Sequence, residues 1–307
     1  MRDSFAKAIH DKAKQDDRIV LLSGDIGNRM FDGLKSDTQG QFLNCGIAEQ
    51  TMMGVAAGLA MSGLRPVVYT IAPFTTYRCF EQIRVDVCYN NAPVIIVGTG
   101  AGLSYASLGP THHSMEDIAI LRALPNMTVF CPSGPKETRD GLLAALDYDA
   151  PIYIRLGKKG EPDLYEGPES IEFGKAVTMR GGTDACIIGS GPVLNQAMQA
   201  AETLKSKGTS LRVENFHTIK PLDEDRLVEL SKSFDKLIVI EEHGRIGGLY
   251  GAIAEWCSAQ QNQRPQLHSI AGNDEFIHKI GNHHFAMDQY EINAAKVCEV
   301  IRKMSRT

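Results

Sequence analysis

The sequence predicts an α/β protein of two doubly wound domains, and three observations carry that prediction. Short β-branched runs recur at Arg18–Leu22, Val67–Ile71, Val94–Gly98, Met127–Phe130 and Pro151–Arg155, and the segments between most of them read as amphipathic helices. Such alternation points to parallel strands joined by helical crossovers. The texture then changes from Gly157 to Glu172, where Gly-Lys-Lys-Gly-Glu-Pro-Asp and Glu-Gly-Pro-Glu read as an exposed connector. A chain of 307 residues with 43% hydrophobic content also carries enough apolar surface for two cores of ordinary size.

The first domain is expected over residues 1–157. It opens on a charged amphipathic stretch and reaches its first strand at Arg18–Leu22, which runs out into Gly24-Asp25-Ile26-Gly27-Asn28. The segment from Asn44 to Gly63 reads as an alanine- and glycine-rich helix with one carboxylate, Glu49, in its first turn. An acid there answers the helix dipole, and its small neighbours let another backbone come close. The strand Val67–Ile71 is followed by Ala72-Pro73-Phe74-Thr75-Thr76-Tyr77-Arg78, and Val94–Gly98 leads to Gly109-Pro110-Thr111-His112-His113. Three polar or aromatic clusters therefore lie just past the ends of successive strands, the edge at which open parallel sheets bind ligands. Phe74 and Tyr77, three residues apart, face one side if the stretch is helical. Arg155 closes the run Ile152-Tyr153-Ile154, where a planar fork of donors suits either an anion or a strand-end ion pair.

A linker over residues 158–172 precedes a smaller α/β domain over 173–307. Its strands are expected at Ala185–Gly189, Leu211–Glu214 and Leu237–Glu241, with helices near Val193–Lys207, near Asp223–Phe234 and from Gly248 onward. Gly189-Ser190-Gly191 is a strand-to-helix turn without the third glycine or ribose-binding acid of a dinucleotide site.

The net charge of −5 and pI near 6.0 argue against nucleic acid or an anionic membrane surface as partner. No apolar run approaches the roughly 20 residues of a membrane span, and the chain reads as soluble and cytoplasmic. The seven cysteines include no Cys-x-x-Cys pair, and Cys131 and Cys186 lie in apolar runs, as reduced core residues do. The histidine pairs at 112–113 and 283–284 point in divergent directions and make no metal spacing.

The order of the three clusters resembles the pyrimidine-binding domain of thiamine-diphosphate enzymes of the transketolase group. The likeness to the C-terminal subunit of split transketolases, and to the C-terminal half of deoxyxylulose-phosphate synthase, runs through nearly the whole chain. The resemblance implies a pyrimidine-binding domain followed by a transketolase C-terminal-like domain, which contributes mainly to assembly. It also implies roles. Glu49 bonds a ring nitrogen of the cofactor's aminopyrimidine and activates it, which requires a carboxyl group that shares a proton in a poorly hydrated place. Phe74 stacks on the pyrimidine and Tyr77 takes a second aromatic position. His112, in Gly-Pro-Thr-His, holds donor oxygens and moves protons, as a group titrating near neutrality can. Arg155 holds the acceptor's phosphate. His217, Glu242 and His243, in or near the segments Thr218–Asp223 and Glu241–Gly248 that also resemble this group, are read as structural or interface residues.

The sequence departs from the family pattern at three places. Gly100 stands where a basic phosphate-binding residue is found, Leu108 where an aspartate reads donor hydroxyls, and His113 where a glutamine stands. These changes imply an unusual donor or acceptor, such as a larger or nucleotide-linked sugar. The Gly-Asp-Gly and following Asn that hold diphosphate and Mg2+ are missing, since Gly24-Asp25-Ile26-Gly27-Asn28 lacks the third-position glycine. Asp25 and Asn28 are expected to face substrate instead. The thiamine diphosphate and Mg2+ site must then be completed by an N-terminal transketolase subunit, two copies of each chain forming a heterotetramer. The alternative is the beta subunit of a 2-oxo acid dehydrogenase's decarboxylating component, against which the Gly-Pro-Thr-His motif stands.

Overall fold

The computed structural model describes residues 1–27, 29–164, 167, 170–261 and 264–304. Twelve strands are found among them: β1 (Ile19–Ser23), β2 (Phe42–Asn44), β3 (Arg65–Ile71), β4 (Ile95–Thr99), β5 (Thr128–Phe130), β6 (Ile152–Arg155), β7 (Val177–Arg180), β8 (Ala185–Gly189), β9 (Leu211–Asn215), β10 (Thr218–Lys220), β11 (Lys236–Gly244) and β12 (Gln266–Gly272). They form two sheets, ordered β10-β5-β6-β4-β3-β1-β2 and β12-β11-β8-β9-β7. The two-domain α/β architecture is thus the one that the alternating pattern predicts.

Both sheets are parallel at their centres, with Leu22 beside Val68, Val68 beside Ile96 and Ile238 beside Ile187. Strands β4, β6 and β8 are buried along their whole length, as strands covered on both faces must be, and this explains their unbroken apolar runs. Sequence reading missed the seven-residue β12, which pairs parallel with β11, and several short or irregular pairings. Strand β2 is three residues long and sits at the sheet edge, while β7 runs antiparallel to β9 with a register shift.

Strand β10 crosses between the domains. It follows β9 of the second sheet yet pairs antiparallel with β5 of the first, Thr218 opposite Phe130. Its Lys220 Nζ donates to the carbonyl oxygens of Arg122, at 3.0 Å, and of Leu124. The apolar core is likewise continuous, because Ile118, Leu121 and Val129 of the first half cluster with Ile188, Leu249 and Trp256 of the second. Residues 158–164, within the expected linker, carry no helix or strand, and the N-terminal amine of Met1 pairs with Glu161 at 3.4 Å.

Local sequence explains the helix starts. Asp223 caps the helix Glu224–Ser233 by accepting from the Arg226 N–H at 3.1 Å. Glu241, at the end of β11, accepts the N–H groups of Leu249 and Tyr250 at 2.7 and 3.0 Å and so caps the helix Leu249–Ala259 from a distance. Burial pushes its carboxyl up to about 7. Gly248 lies so close to that carboxylate that any Cβ would collide with it, so a glycine there is a packing requirement.

All seven cysteines are free, and Cys131 and Cys186 are core residues. No helix among the described residues is long and apolar enough to cross a membrane.

Candidate active site

Strands β1, β2, β3 and β4 are mutually parallel, so the loops after Ser23, Asn44, Ile71 and Thr99 open on one edge of the sheet. The helix Glu49–Met61 begins there, and Glu49 is only 6% exposed although it stands in the first turn. Met52, Met53, Ala56, Ala57 and Ala60 carry the buried face of this helix into the core. After β3, Pro73 starts the short helix Ala72–Thr76, tightened by the Thr75 and Thr76 hydroxyls, which both donate to the Ala72 carbonyl at 3.0 and 2.7 Å. That turn delivers Phe74, and Arg78 follows it. The π-helix Ile83–Tyr89 packs against the Glu49 helix, and such local widening is frequent beside functional sites.

Four of these side chains form one connected array. Arg78 Nη1 donates to Glu49 Oε1 at 3.1 Å. Its guanidinium also lies over the Phe74 ring, 3.9 Å from the centroid. The far neighbour of Phe74 is His112, met edge to face at 5.2 Å between centroids. His112 Nδ1 is 2.9 Å from the Thr111 hydroxyl. Burial holds the His112 pKa below its ordinary value, and the nearby charges of Arg78 and His113 push in the same direction. The imidazole is therefore neutral near pH 7, free to accept or donate at its second nitrogen.

The remaining predicted residues divide. His113 is buried, its Nε2 at 3.5 Å from the Ala106 carbonyl oxygen, and burial lowers its pKa too. Tyr77 donates from its hydroxyl to Glu116 Oε2 at 2.7 Å and accepts from the Glu116 N–H at 3.2 Å. His113, Tyr77 and Glu116 line a cleft of about 600 Å³ between the domains, together with Arg245, Phe276 and Tyr290. Leu108 is half exposed just before Gly109. Asp25 is exposed in a left-handed backbone conformation and accepts from Asn44 Nδ2 at 3.1 Å. Asn28 lies outside the described residues.

Arg155, expected from the resemblance to hold the acceptor's phosphate, is buried at the end of β6. It is 6% exposed, and its Nε donates to Asp117 Oδ2 at 2.9 Å while Nη2 donates to the carbonyl oxygens of Ser114 and Glu242 at 2.9 and 3.0 Å. Asp117 also receives the hydroxyls of Tyr153 at 2.7 Å and Ser114 at 3.2 Å. Burial raises the Asp117 pKa, but Arg155 and His243 outweigh it and the carboxylate is held below its usual range. The strand-end arginine thus forms an ion pair with Asp117 inside the first domain, and its Nη2 donates across to the Glu242 carbonyl of the second. Glu242 completes this junction, accepting from Leu103 N at 2.6 Å and pairing with His283 Nε2 at 2.8 Å.

The placement of two residues, Tyr105 beside the array and Arg78 within it, escapes a reading of the sequence. The Tyr105 ring fills the space that a side chain at Gly100 would take, and Gly100 has φ +68°, a left-handed conformation. Tyr105 then meets His112 at 6.2 Å, and Lys158 Nζ lies 4.6 Å over its ring. No spacing rule announces such a contact, because it joins three loops distant in sequence. Arg78 ends the stretch that carries Phe74 and Tyr77, yet only the folded backbone shows where it turns.

The cofactor half-site can be tested for fit on these contacts. Glu49 and the face of Phe74 already receive one flat, hydrogen-bond-donating group, the guanidinium of Arg78, so the pair is spaced for a planar donor. Among the described residues, no group of three or more His, Cys, Asp or Glu side chains is placed to hold a metal ion.

Comparison with known families agrees with this geometry. Residues 1–161 match the transketolase pyrimidine-binding domain, and residues 174–297 match the transketolase C-terminal domain. The chain is 36% identical to one subunit of the apulose-4-phosphate transketolase of Phocaeicola vulgatus, covering 97% of this chain and 95% of that one. It is 33% identical to a 6-deoxy-6-sulfo-D-fructose transketolase subunit of a Clostridium species, covering 83% and 80%. A solved structure described as a split-gene transketolase, inactive beta4 tetramer, superposes with a TM-score of 0.88 at 32% identity over 98% of this chain and 96% of that one.

Proposed function

This chain belongs to the transketolase family, and on that footing we propose that it is the C-terminal subunit of a split, thiamine-diphosphate-dependent enzyme. The reaction is transfer of a two-carbon ketol unit from a ketose donor to an aldehyde acceptor. The observation that carries this reading is the Glu49, Phe74 and His112 array, whose carboxylate and aromatic face suit a planar nitrogen heterocycle beside a neutral imidazole.

Thiamine diphosphate, when bound, supplies the nucleophilic carbon and the electron sink. The protein's own part is binding and proton handling. Phe74 would present a flat face to the pyrimidine, and Glu49 would hydrogen-bond a ring nitrogen from a position nearly closed to water. His112, neutral at the working pH, accepts or donates at substrate oxygens. Arg155 and Asp117 position the loops around the site from within the domain junction.

The diphosphate and Mg2+ belong mainly to a separate N-terminal subunit, because this sequence lacks the Gly-Asp-Gly pattern. An exposed apolar band supports a partner at this edge: Leu43 and Ile47 precede Glu49 and are 45% and 79% exposed, and Val55 and Tyr89 are 39% and 84% exposed. A heterotetramer of two copies of each chain is the assembly proposed.

For substrate, the relatives' names specify a phosphorylated and a sulfonated sugar. Here Lys158 and Lys159 line a cleft with Ser104, Ser107, Glu161 and His283, next to Tyr105, and the two lysines supply positive charge for such a terminal group. With Leu108 in place of an acid, the reading is a non-standard sugar rather than xylulose 5-phosphate.

The test is co-expression with the N-terminal subunit and calorimetric titration of thiamine diphosphate with Mg2+, using wild type and Glu49→Ala. Binding by the wild-type complex, with ketol transfer lost at least about a hundredfold in the variant, is the expected result. Release of carbon dioxide from pyruvate without ketol transfer, or tight binding by this chain alone, overturns the reading.

A further inference from the structure

Arg78 makes, at once, both of the contacts that the proposed half-site reserves for its ligand. Its guanidinium covers the Phe74 ring at 3.9 Å, and its Nη1 takes Glu49 Oε1 at 3.1 Å. A guanidinium is flat, stacks on aromatic faces and presents a fork of N–H donors. An aminopyrimidine ring meets the same two demands with its face and its edge. One aromatic face cannot carry both groups, and a donor aimed at Glu49 Oε1 competes with Arg78 Nη1 for that oxygen.

We propose that Arg78 is a built-in occupant of the pyrimidine site, closing the half-site in the free subunit until the arriving cofactor displaces it. This rests on the assignment of Glu49 and Phe74 made above. The geometry permits the movement, because the Arg78 side chain is 48% exposed while Glu49 is 7% exposed, so the arginine is the mobile partner and the carboxylate the fixed one. A long side chain leaving for solvent keeps its hydration, so the closed form is shallow and reversible. The consequence is kinetic and thermodynamic. Apparent affinity falls by the fraction of molecules in which the site is open. The contact also shields Glu49 and Phe74, the polar and apolar halves of an otherwise open edge, before assembly is complete.

The experiment uses the co-expressed complex, stripped of cofactor, as wild type, Arg78→Ala and Arg78→Lys. Thiamine diphosphate with Mg2+ is titrated by calorimetry, and its binding rate is followed by stopped-flow. R78A is expected to bind about tenfold more tightly and with a faster association rate, which is the lost fraction regained. R78K keeps the charge without the flat fork and is expected to fall between. Thermal unfolding of each cofactor-free complex verifies that the variants are assembled. Equal or weaker binding by an assembled R78A complex overturns the inference, since Arg78 would then be idle or would hold Glu49 for the cofactor. Absence of binding in all three complexes overturns the functional reading itself, and this inference with it.

Discussion

His112 shows how a single residue's chemistry is set by its neighbours. Burial lowers its pKa first, the Arg78 and His113 charges add to that, and the Phe74 edge packs against the ring. A depressed imidazole pKa means that the neutral form persists as pH falls below the ordinary value of 6.5. For a reaction needing neutral His112, the acid limb of the pH profile lies below that value. Removing the Arg78 charge is expected to raise the His112 pKa of the cofactor-free complex. An NMR titration of His112 in that complex, wild type against R78A, measures this displacement, and an unmoved pKa removes Arg78 as one of its causes. Sequence alone singles out His112 from its motif, but the sign of its shift depends on which loops the fold brings against it.

Among the secondary-structure elements, the junction between β6 and β11 holds Arg155. Its donors reach Asp117, Ser114 and Glu242, and the last of these lies in the second domain. Asp117 is 0% exposed, so removing its cation leaves a buried charge without compensation. Arg155→Ala is expected to cost about 3–5 kcal/mol in urea unfolding, with Arg155→Lys only partly restoring it because a lysine has no planar fork. A phosphate-binding arginine behaves differently: its loss raises KM for a phosphorylated acceptor and leaves stability nearly unchanged. The pattern Ile152-Tyr153-Ile154-Arg155 fits both roles, and only the position of the helix Asp117–Arg122 distinguishes them. Strand β10 makes the same point about register. Thr218-Ile219-Lys220 is notable as a motif, but its pairing with β5 joins segments far apart in the chain, and no local periodicity encodes that contact.

For the molecule as a whole, the most consequential feature is the face beside Glu49. Leu43, Ile47, Val55 and Tyr89 expose apolar surface around a helix whose other face is core. Exposed large apolar side chains on the elements around one functional helix are what a partner-binding face would present. Ile47→Asp is expected to abolish co-purification with the N-terminal subunit. Because Ile47 is 79% exposed, the free chain's stability is expected to change by no more than about 0.5 kcal/mol. Unimpaired assembly of I47D, measured by light scattering, removes this face from the proposed interface.

The α/β class and the order of most central strands are legible in the amino acids alone, because strand and helix periodicities are local and the buried strands are long apolar runs. Phe74 and His112 are legible as candidates from short motifs that follow predicted strands, and Glu49 as the one carboxylate of a helix rich in small residues. Long-range packing settled what no local pattern can carry. It folded Arg78 back between Glu49 and Phe74, put Tyr105 into the space beside Gly100, and turned Arg155 inward to Asp117. One cause underlies all three. A long or flat polar side chain has several rotamers of similar energy, and which one prevails depends on the charge and ring face supplied by loops remote in sequence.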